Sequence, residues 1–110
     1  MAGSRGIIEY SGDVNVLSVA PPNTVYSGVA TVTTAGTRVV LGVSQPLLAG
    51  VQIRAIAANT GTVYVGNSVV AAANGYRLLA GETVFIAVDN VANVYIDASA
   101  NAQLVTWIAS

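Results

Sequence analysis

Histidine, cysteine and lysine are all absent from this chain of 110 residues. The commonest general base, the commonest activated thiol and the commonest metal ligands are therefore missing. A Ser-His-Asp triad, a serine–lysine pair and a disulfide are all excluded for the same reason. These absences predict that the chain is not an enzyme, with no catalytic, cofactor-binding or metal-binding residues.

Charge of either sign is also scarce. The chain has four arginines and five carboxylates, so that 8% of the residues are charged and the net charge is -1. Binding to nucleic acid or to an anionic membrane surface depends on clustered basic residues, so neither is expected as a partner. Every apolar run is shorter than the ~20 residues of a membrane span, and the first residues lack a signal-peptide layout, which predicts synthesis in the cytoplasm.

The few groups that could carry chemistry have structural explanations. Asp89 and Asp97 could form a carboxylate pair, and Asp89, Asn90 and Asn93 could offer oxygen ligands to calcium. A turn is expected at Asp89-Asn90 and a strand at Asp97, where both carboxylates have ordinary roles. The aromatic residues could line a glycan platform, but core or interface packing is the favoured role for Tyr10, Tyr26, Tyr64, Tyr76, Tyr95 and Trp107.

What the chain has in abundance is apolar residues, at 54%. A surface with so little charge offers weak repulsion between copies, and exposed apolar surface usually marks an interaction site. The composition therefore predicts a homo-oligomer. The alternative is a monomer whose surface is covered by Thr, Ser, Asn and Gln.

Strand-forming and turn-forming residues alternate along the chain, which predicts an all-β fold. Valine, threonine and isoleucine dominate the runs between Gly, Asn and Asp positions, with hairpins expected at 59–61 and 74–75. The segment 83–88 is apolar on both faces and is expected to be central or interfacial. Alternation places Ile53 opposite to Arg54 within 51–57, with Arg54 outward, and separates Ile108 from Trp107 within 103–108. Asp97 is expected on the polar face of its strand. Two packed antiparallel sheets, a β-sandwich or jelly roll, are predicted from strands at 29–33, 37–43, 51–57, 62–65, 76–79, 83–88, 94–98 and 103–108.

The first 25 residues have a different character. The sequence Ala20-Pro21-Pro22-Asn23 interrupts any strand ladder, because proline fixes φ and donates no backbone hydrogen bond. Residues 1–25 are therefore expected to form an extended N-terminal arm, or alternatively a first hairpin, ahead of a β-sandwich domain at 26–110. The residues expected at an interface are Ile7, Ile8, Tyr10, Val14, Val16 and Phe85.

Several stretches between residues 31 and 110 resemble small virion structural proteins of tailed bacteriophages and prophages. They are Ile53-Arg54-Ala55-Ile56-Ala57-Ala58-Asn59-Thr60-Gly61-Thr62-Val63-Tyr64-Val65-Gly66, then Asn74-Gly75-Tyr76, Leu79-Ala80-Gly81-Glu82 and Val94-Tyr95-Ile96-Asp97-Ala98. The resemblance implies a β-sandwich that decorates or stabilises a particle, or that forms part of a tail or fibre. It carries over no catalytic residue.

The function expected from this resemblance is that of a capsid decoration or cement protein. Such a protein would sit on the virion surface, bind the major capsid protein and stabilise the phage head by bridging shell subunits. Three copies are expected from the resemblance, and the arm would reach a neighbouring shell subunit by β-augmentation. The alternative is a tail, baseplate or fibre component, with contact to a host glycan as one variant.

Overall fold

The computed structural model describes residues 24–110, and in this part of the chain the protein is all-β, as predicted. A single 3-10 turn, Val91–Asn93, interrupts the strands, and no described helix is long and apolar enough to cross a membrane. The described strands are β1 (Tyr26–Val32), β2 (Val39–Val40), β3 (Val51–Ala55), β4 (Val63–Gly66), β5 (Tyr76–Leu78), β6 (Thr83–Ile86), β7 (Tyr95–Ala98) and β8 (Gln103–Ala109).

The strands form two four-stranded antiparallel sheets, and their order is that of a jelly roll. The first sheet has the order β1-β8-β3-β6 and the second has the order β2-β7-β4-β5. Within the described residues, the chain changes sheet at every connection except the one between β4 and β5. This alternation produces an eight-stranded sandwich of two interleaved Greek keys, which confirms the predicted fold class.

The core lies between the two sheets and is built by alternating residues. Val51, Ile53 and Ala55 of β3 are fully buried, whereas Gln52 and Arg54 between them are exposed, as predicted. The same alternation runs through the other strands because successive side chains point to opposite faces. Other completely or almost completely buried core residues are Val32, Leu41, Val63, Leu78, Val91, Ile96 and Val105.

Two expectations about connections and strand position need correction. The turn at 59–61 is not a hairpin, because it carries the chain from β3 in the first sheet to β4 in the second. Of the two positions expected for the segment 83–88, the central one is wrong and the interfacial one remains a prediction. Its strand β6 ends at Ile86 and lies at the edge of the first sheet, next to β3, with Phe85 exposed. Local sequence cannot distinguish an apolar edge strand from a central one.

The connection between β4 and β5 is a hairpin, as predicted, but the reason for its glycine differs from the expected one. Gly75 is not among the described residues with positive φ. It is needed for a close approach, because a Cβ at this position would lie 2.5 Å from Cβ of Tyr64. The hairpin therefore depends on packing against β4 more than on turn geometry.

Candidate interaction surface

The outer faces of the two sheets differ in how well they are covered. Over the second sheet, Tyr64 points away from the core yet is only 8% exposed. The loop 67–75 lies beside it, and Val70 of this loop is 1% exposed. A Cβ at Gly75 would approach both Tyr64 and Val70, which places the two side chains on either side of this glycine. The outer face of β4 in the second sheet is therefore covered by its own chain.

The loop 67–75 is held by hydrogen bonds of its own. The side chain of Asn67 accepts from the backbone N–H of Val69 at 3.0 Å. The side chain of Asn74 accepts from Ala71 N–H at 2.8 Å and donates to the Val69 carbonyl at 3.2 Å. Such local side-chain bonds replace the ladder that a loop lacks. The loop 67–75 is thus an integral part of the domain.

Asp97, on the second sheet, accepts hydrogen bonds from backbone N–H groups. Asp97 is 4% exposed, and its Oδ1 accepts from the N–H groups of Gly36 at 3.0 Å and Ala98 at 2.7 Å. Its burial differs from the polar strand face expected from sequence. The bond from Gly36 attaches the 34–37 turn to β7, and the bond from Ala98 lies within the strand, so the carboxylate has a structural role.

The proposed calcium ligands are also engaged. The side chain of Asn90 accepts from the N–H groups of Gln45 at 3.1 Å and Ala92 at 2.9 Å, and it caps the 3-10 turn. Asn93 donates to Oδ1 of Asp89 at 3.2 Å. Within residues 24–110, no three His, Cys, Asp or Glu side chains come together. The arrangement is that of a capped turn.

The described residues, 24–110, place no such cover over the outer face of the first sheet. We call it the open face, and it comprises the outward side chains of β1, β8, β3 and β6 together with the residue before β1. Its members are Val25, Ser27, Val29, Thr31, Gln52, Arg54, Thr83, Phe85, Leu104, Thr106 and Ile108.

Strand register arranges the open face in rows. Ile108 of β8 lies opposite Ser27 on one side and Gln52 on the other, and Gln52 lies opposite Phe85. Paired residues in neighbouring strands place their side chains ~5 Å apart on the same face. Ile108 and Phe85 are therefore separated by a single strand and flank Gln52.

Four large apolar side chains of the open face are each more than half exposed. Val25 is 66% exposed, Val29 61%, Phe85 57% and Ile108 52%. A shallow hollow of about 220 Å³ is lined by Val25, Phe85 and Ile108, among others, and a second of about 210 Å³ adjoins it at Gln52 and Ile108. Apolar surface gathered in this way favours an interaction site over a purely solvated face.

Arg54 is the single charged residue of the open face among the described residues. It lies opposite Thr106 on β8 and Thr83 on β6, and within residues 24–110 it has no ion-pair partner. Glu82, which precedes β6, directs its carboxylate to Leu79 N–H at 2.9 Å instead. The open face therefore combines apolar side chains with one unpaired positive charge.

Of the residues predicted at an interface, Phe85 lies on the open face. The other five, Ile7, Ile8, Tyr10, Val14 and Val16, lie outside the described residues. The sequence reasoning missed the contribution of Val25, Val29, Arg54 and Ile108. The alternation in 103–108 did separate Ile108 from Trp107, but it carries no signal for which side faces solvent.

The aromatic residues do not form a stacking platform in the described part of the chain. Tyr76 is 61% exposed on β5 of the second sheet, whereas Phe85 belongs to the first sheet. Tyr64 is buried, and Tyr26 and Trp107 pack against the core. Comparisons with protein-family models, with curated proteins and with solved structures found no match to this chain.

Proposed function

We propose that this chain is a structural protein of a virus particle, a capsid decoration protein that associates with copies of itself and bridges shell subunits on a phage head. The observation that carries the proposal is the open face. Four large apolar side chains, Val25, Val29, Phe85 and Ile108, are each more than half exposed on one sheet. Burying them against another protein removes that surface from water, at about 25 cal/mol per Å².

The fold is compatible with this role but does not determine it. Eight-stranded jelly rolls recur in viral capsid proteins and in lectins, among other classes. Because one fold supports many functions, the argument has to rest on the surface and on its chemistry. Here the surface is apolar, and the described polar clusters are used in capping turns. A contact module is therefore favoured over a catalyst.

The crossing from β3 to β4 supports the same interpretation. Asn59 donates to the carbonyl of Leu104 at 2.8 Å and accepts from its N–H at 2.9 Å. Gln103 accepts from Gly61 N–H at 2.8 Å and donates to Thr60 at 3.1 Å. The stretch that resembles phage structural proteins thus attaches a loop to β8. A domain whose loop is fixed to a strand in this way suits a structural protein whose contacts require no conformational change.

Association of copies would strengthen attachment to a shell. A single small domain making one contact binds weakly, but an oligomer engages several shell subunits, and each later contact is intramolecular. Three copies around one axis is the arrangement that we propose. Because the contacts are mainly apolar, attachment should depend little on ionic strength.

A tail, baseplate or fibre component is the alternative. The exposed ring of Tyr76 on β5 favours it, since a tyrosine in this position can stack on a sugar. Without a second exposed aromatic beside it in the described residues, this surface offers one stacking contact.

The two locations are separable by labelling. Particles purified from a culture that produces the protein would be incubated with a gold-conjugated antibody against it and imaged. We expect gold over the head surface. Gold confined to tails or fibres would replace the decoration role with the alternative, and absence of the protein from purified particles would refute both.

A second measurement tests how the protein attaches. Heads lacking the protein would be incubated with the full chain at low and at high salt, and occupancy would be measured after sedimentation. We expect occupancy to change less than about twofold between the two conditions, because screening acts mainly on exposed charges. Loss of binding at high salt would mean that charge, and not apolar contact, drives attachment.

A further inference from the structure

We infer that the open face is covered by the N-terminal segment, residues 7–19, of a neighbouring copy of this chain. The face requires an occupant that is apolar and carries a carboxylate, because it presents Val29, Phe85 and Ile108 together with the unpaired Arg54. An apolar partner without an acid would leave a guanidinium partly desolvated and unpaired, which costs free energy.

The sequence of residues 7–19 meets both requirements. It contains Glu9 and Asp13 and no basic residue, so its formal charge is -2 against +1 on the open face. The two acids lie among apolar residues, which are Ile7, Ile8, Tyr10, Val14, Val16, Leu17 and Val19. Either acid could pair with Arg54 while the apolar side chains fill the two hollows.

Length and position also fit. Thirteen extended residues such as 7–19 span about 43 Å, and four strands spaced about 4.8 Å apart give a face about 19 Å wide, so the segment is long enough to cross the whole face. The segment precedes Val25, which itself lines the hollow with Phe85 and Ile108. Its connection to the domain therefore lies at the border of the open face.

The prolines favour a neighbouring copy over the same chain. Returning across its own sheet would require a tight reversal between residue 19 and Val25. Ala20-Pro21-Pro22-Asn23 occupies that interval, and consecutive prolines favour an extended polyproline conformation. The composition of this interval therefore favours a neighbouring copy as the partner of the segment.

This assignment gives the segment a different partner from the shell subunit expected from the sequence. It rests on the association between copies that is part of the proposed function, but not on the particle. Its test uses purified protein alone, so its failure would leave attachment to heads open to the experiments above.

Cross-linking between two single-cysteine proteins provides the test, because the natural chain contains no cysteine. Full-length Val16→Cys would be mixed with full-length Phe85→Cys and treated with a short bis-maleimide. The matched control replaces Phe85→Cys with Val69→Cys, which places the thiol at a similarly exposed position (59%) on the loop over the second sheet. We expect at least a fivefold higher yield of cross-linked heterodimer with Phe85→Cys.

Charge reversal then tests the role of Arg54. Arg54→Glu in the Phe85→Cys protein should lower the heterodimer yield roughly three- to tenfold, as expected for loss of an ion pair and its replacement by repulsion. Introducing Glu9→Arg and Asp13→Arg into the Val16→Cys protein should restore the yield. Arg77→Glu, an exposed arginine on β5 of the second sheet, is the control and should leave the yield unchanged. Circular dichroism melts of each variant establish that the domain is folded.

Equal yields from Phe85→Cys and Val69→Cys would overturn the inference. So would a Val16→Cys/Phe85→Cys double variant that cross-links only within one chain, since this would place the segment on its own sheet. The assigned ion pair would be wrong if Arg54→Glu left the yield unaffected, or if the charge exchange did not restore it. The choice of residues 7–19 would then be wrong as well.

Discussion

Trp107 of β8 lies directly opposite Gly28 of β1, and its indole occupies the space that a side chain at position 28 would need. A Cβ at Gly28 would lie 2.7 Å from Cζ2 of the ring, closer than van der Waals contact allows. The ring also packs against the core, so it cannot withdraw without disturbing its other contacts. This pairing connects an edge strand to the interior of the sandwich.

Gly28→Ala should therefore destabilise the domain by about 1–3 kcal/mol, the usual range for overpacking. Urea unfolding followed by tryptophan fluorescence measures the change, because Trp107 is the single tryptophan of the chain. Ser27→Ala, at the adjacent exposed position of β1, serves as the control and should change stability by less than about 0.5 kcal/mol. Equal stability of the two variants would show that the indole moves aside at no cost.

Two glycines with positive φ should respond differently to the same substitution. Gly50 has φ +138, and an added Cβ would overlap Ile86 O and lie 3.0 Å from Cα of Ala87. Gly36 has φ +83 and nothing within 4 Å of the same position. Gly36→Ala should cost about 1 kcal/mol from backbone strain alone, and Gly50→Ala about 3 kcal/mol or more because a backbone clash adds to the strain. Thermal melts would compare them, and a similar loss in both would contradict the packing around Gly50.

Asn59 should contribute to stability through its two bonds to Leu104. Asn59→Ala removes both and leaves the backbone groups of Leu104 without these partners, which should cost about 2 kcal/mol. Asn101→Ala, which removes one exposed bond to Ala35 N–H, is the comparison and should cost about 1 kcal/mol or less. If Asn59→Ala were as stable as the natural chain in urea, the loop would not depend on this attachment.

The fold class was predictable because strand formers and turn formers alternate at close spacing, and the alternation in 51–57 correctly separated Ile53 from Arg54. Sheet membership was not predictable. The turn at 59–61 has the composition of a hairpin, yet the bonds of Asn59 to Leu104 attach it to a strand more than 40 residues away. Local composition contains no information about such partners.

The candidate surface was only partly accessible to sequence reasoning for a related reason. The apolar character of 83–88 indicated that Phe85 could lie at an interface, and Phe85 does lie on the open face. Val29 and Ile108 belong to the open face because, within residues 24–110, the loop 67–75 packs on the second sheet and not on the first. That choice follows from tertiary packing around Tyr64 and Gly75, and no periodicity in β1 or β8 reports it.

If the open face is an interface between copies, the mass of the full chain in solution must exceed that of one copy. Light scattering at micromolar concentration should give a multiple of 11.1 kDa, with three copies expected. Ile108→Asp should reduce it to that of one chain, whereas Val69→Asp, on the loop over the second sheet, should leave the oligomer intact. A natural chain that scatters as a stable 11.1 kDa monomer, with no tendency to associate, would contradict the account.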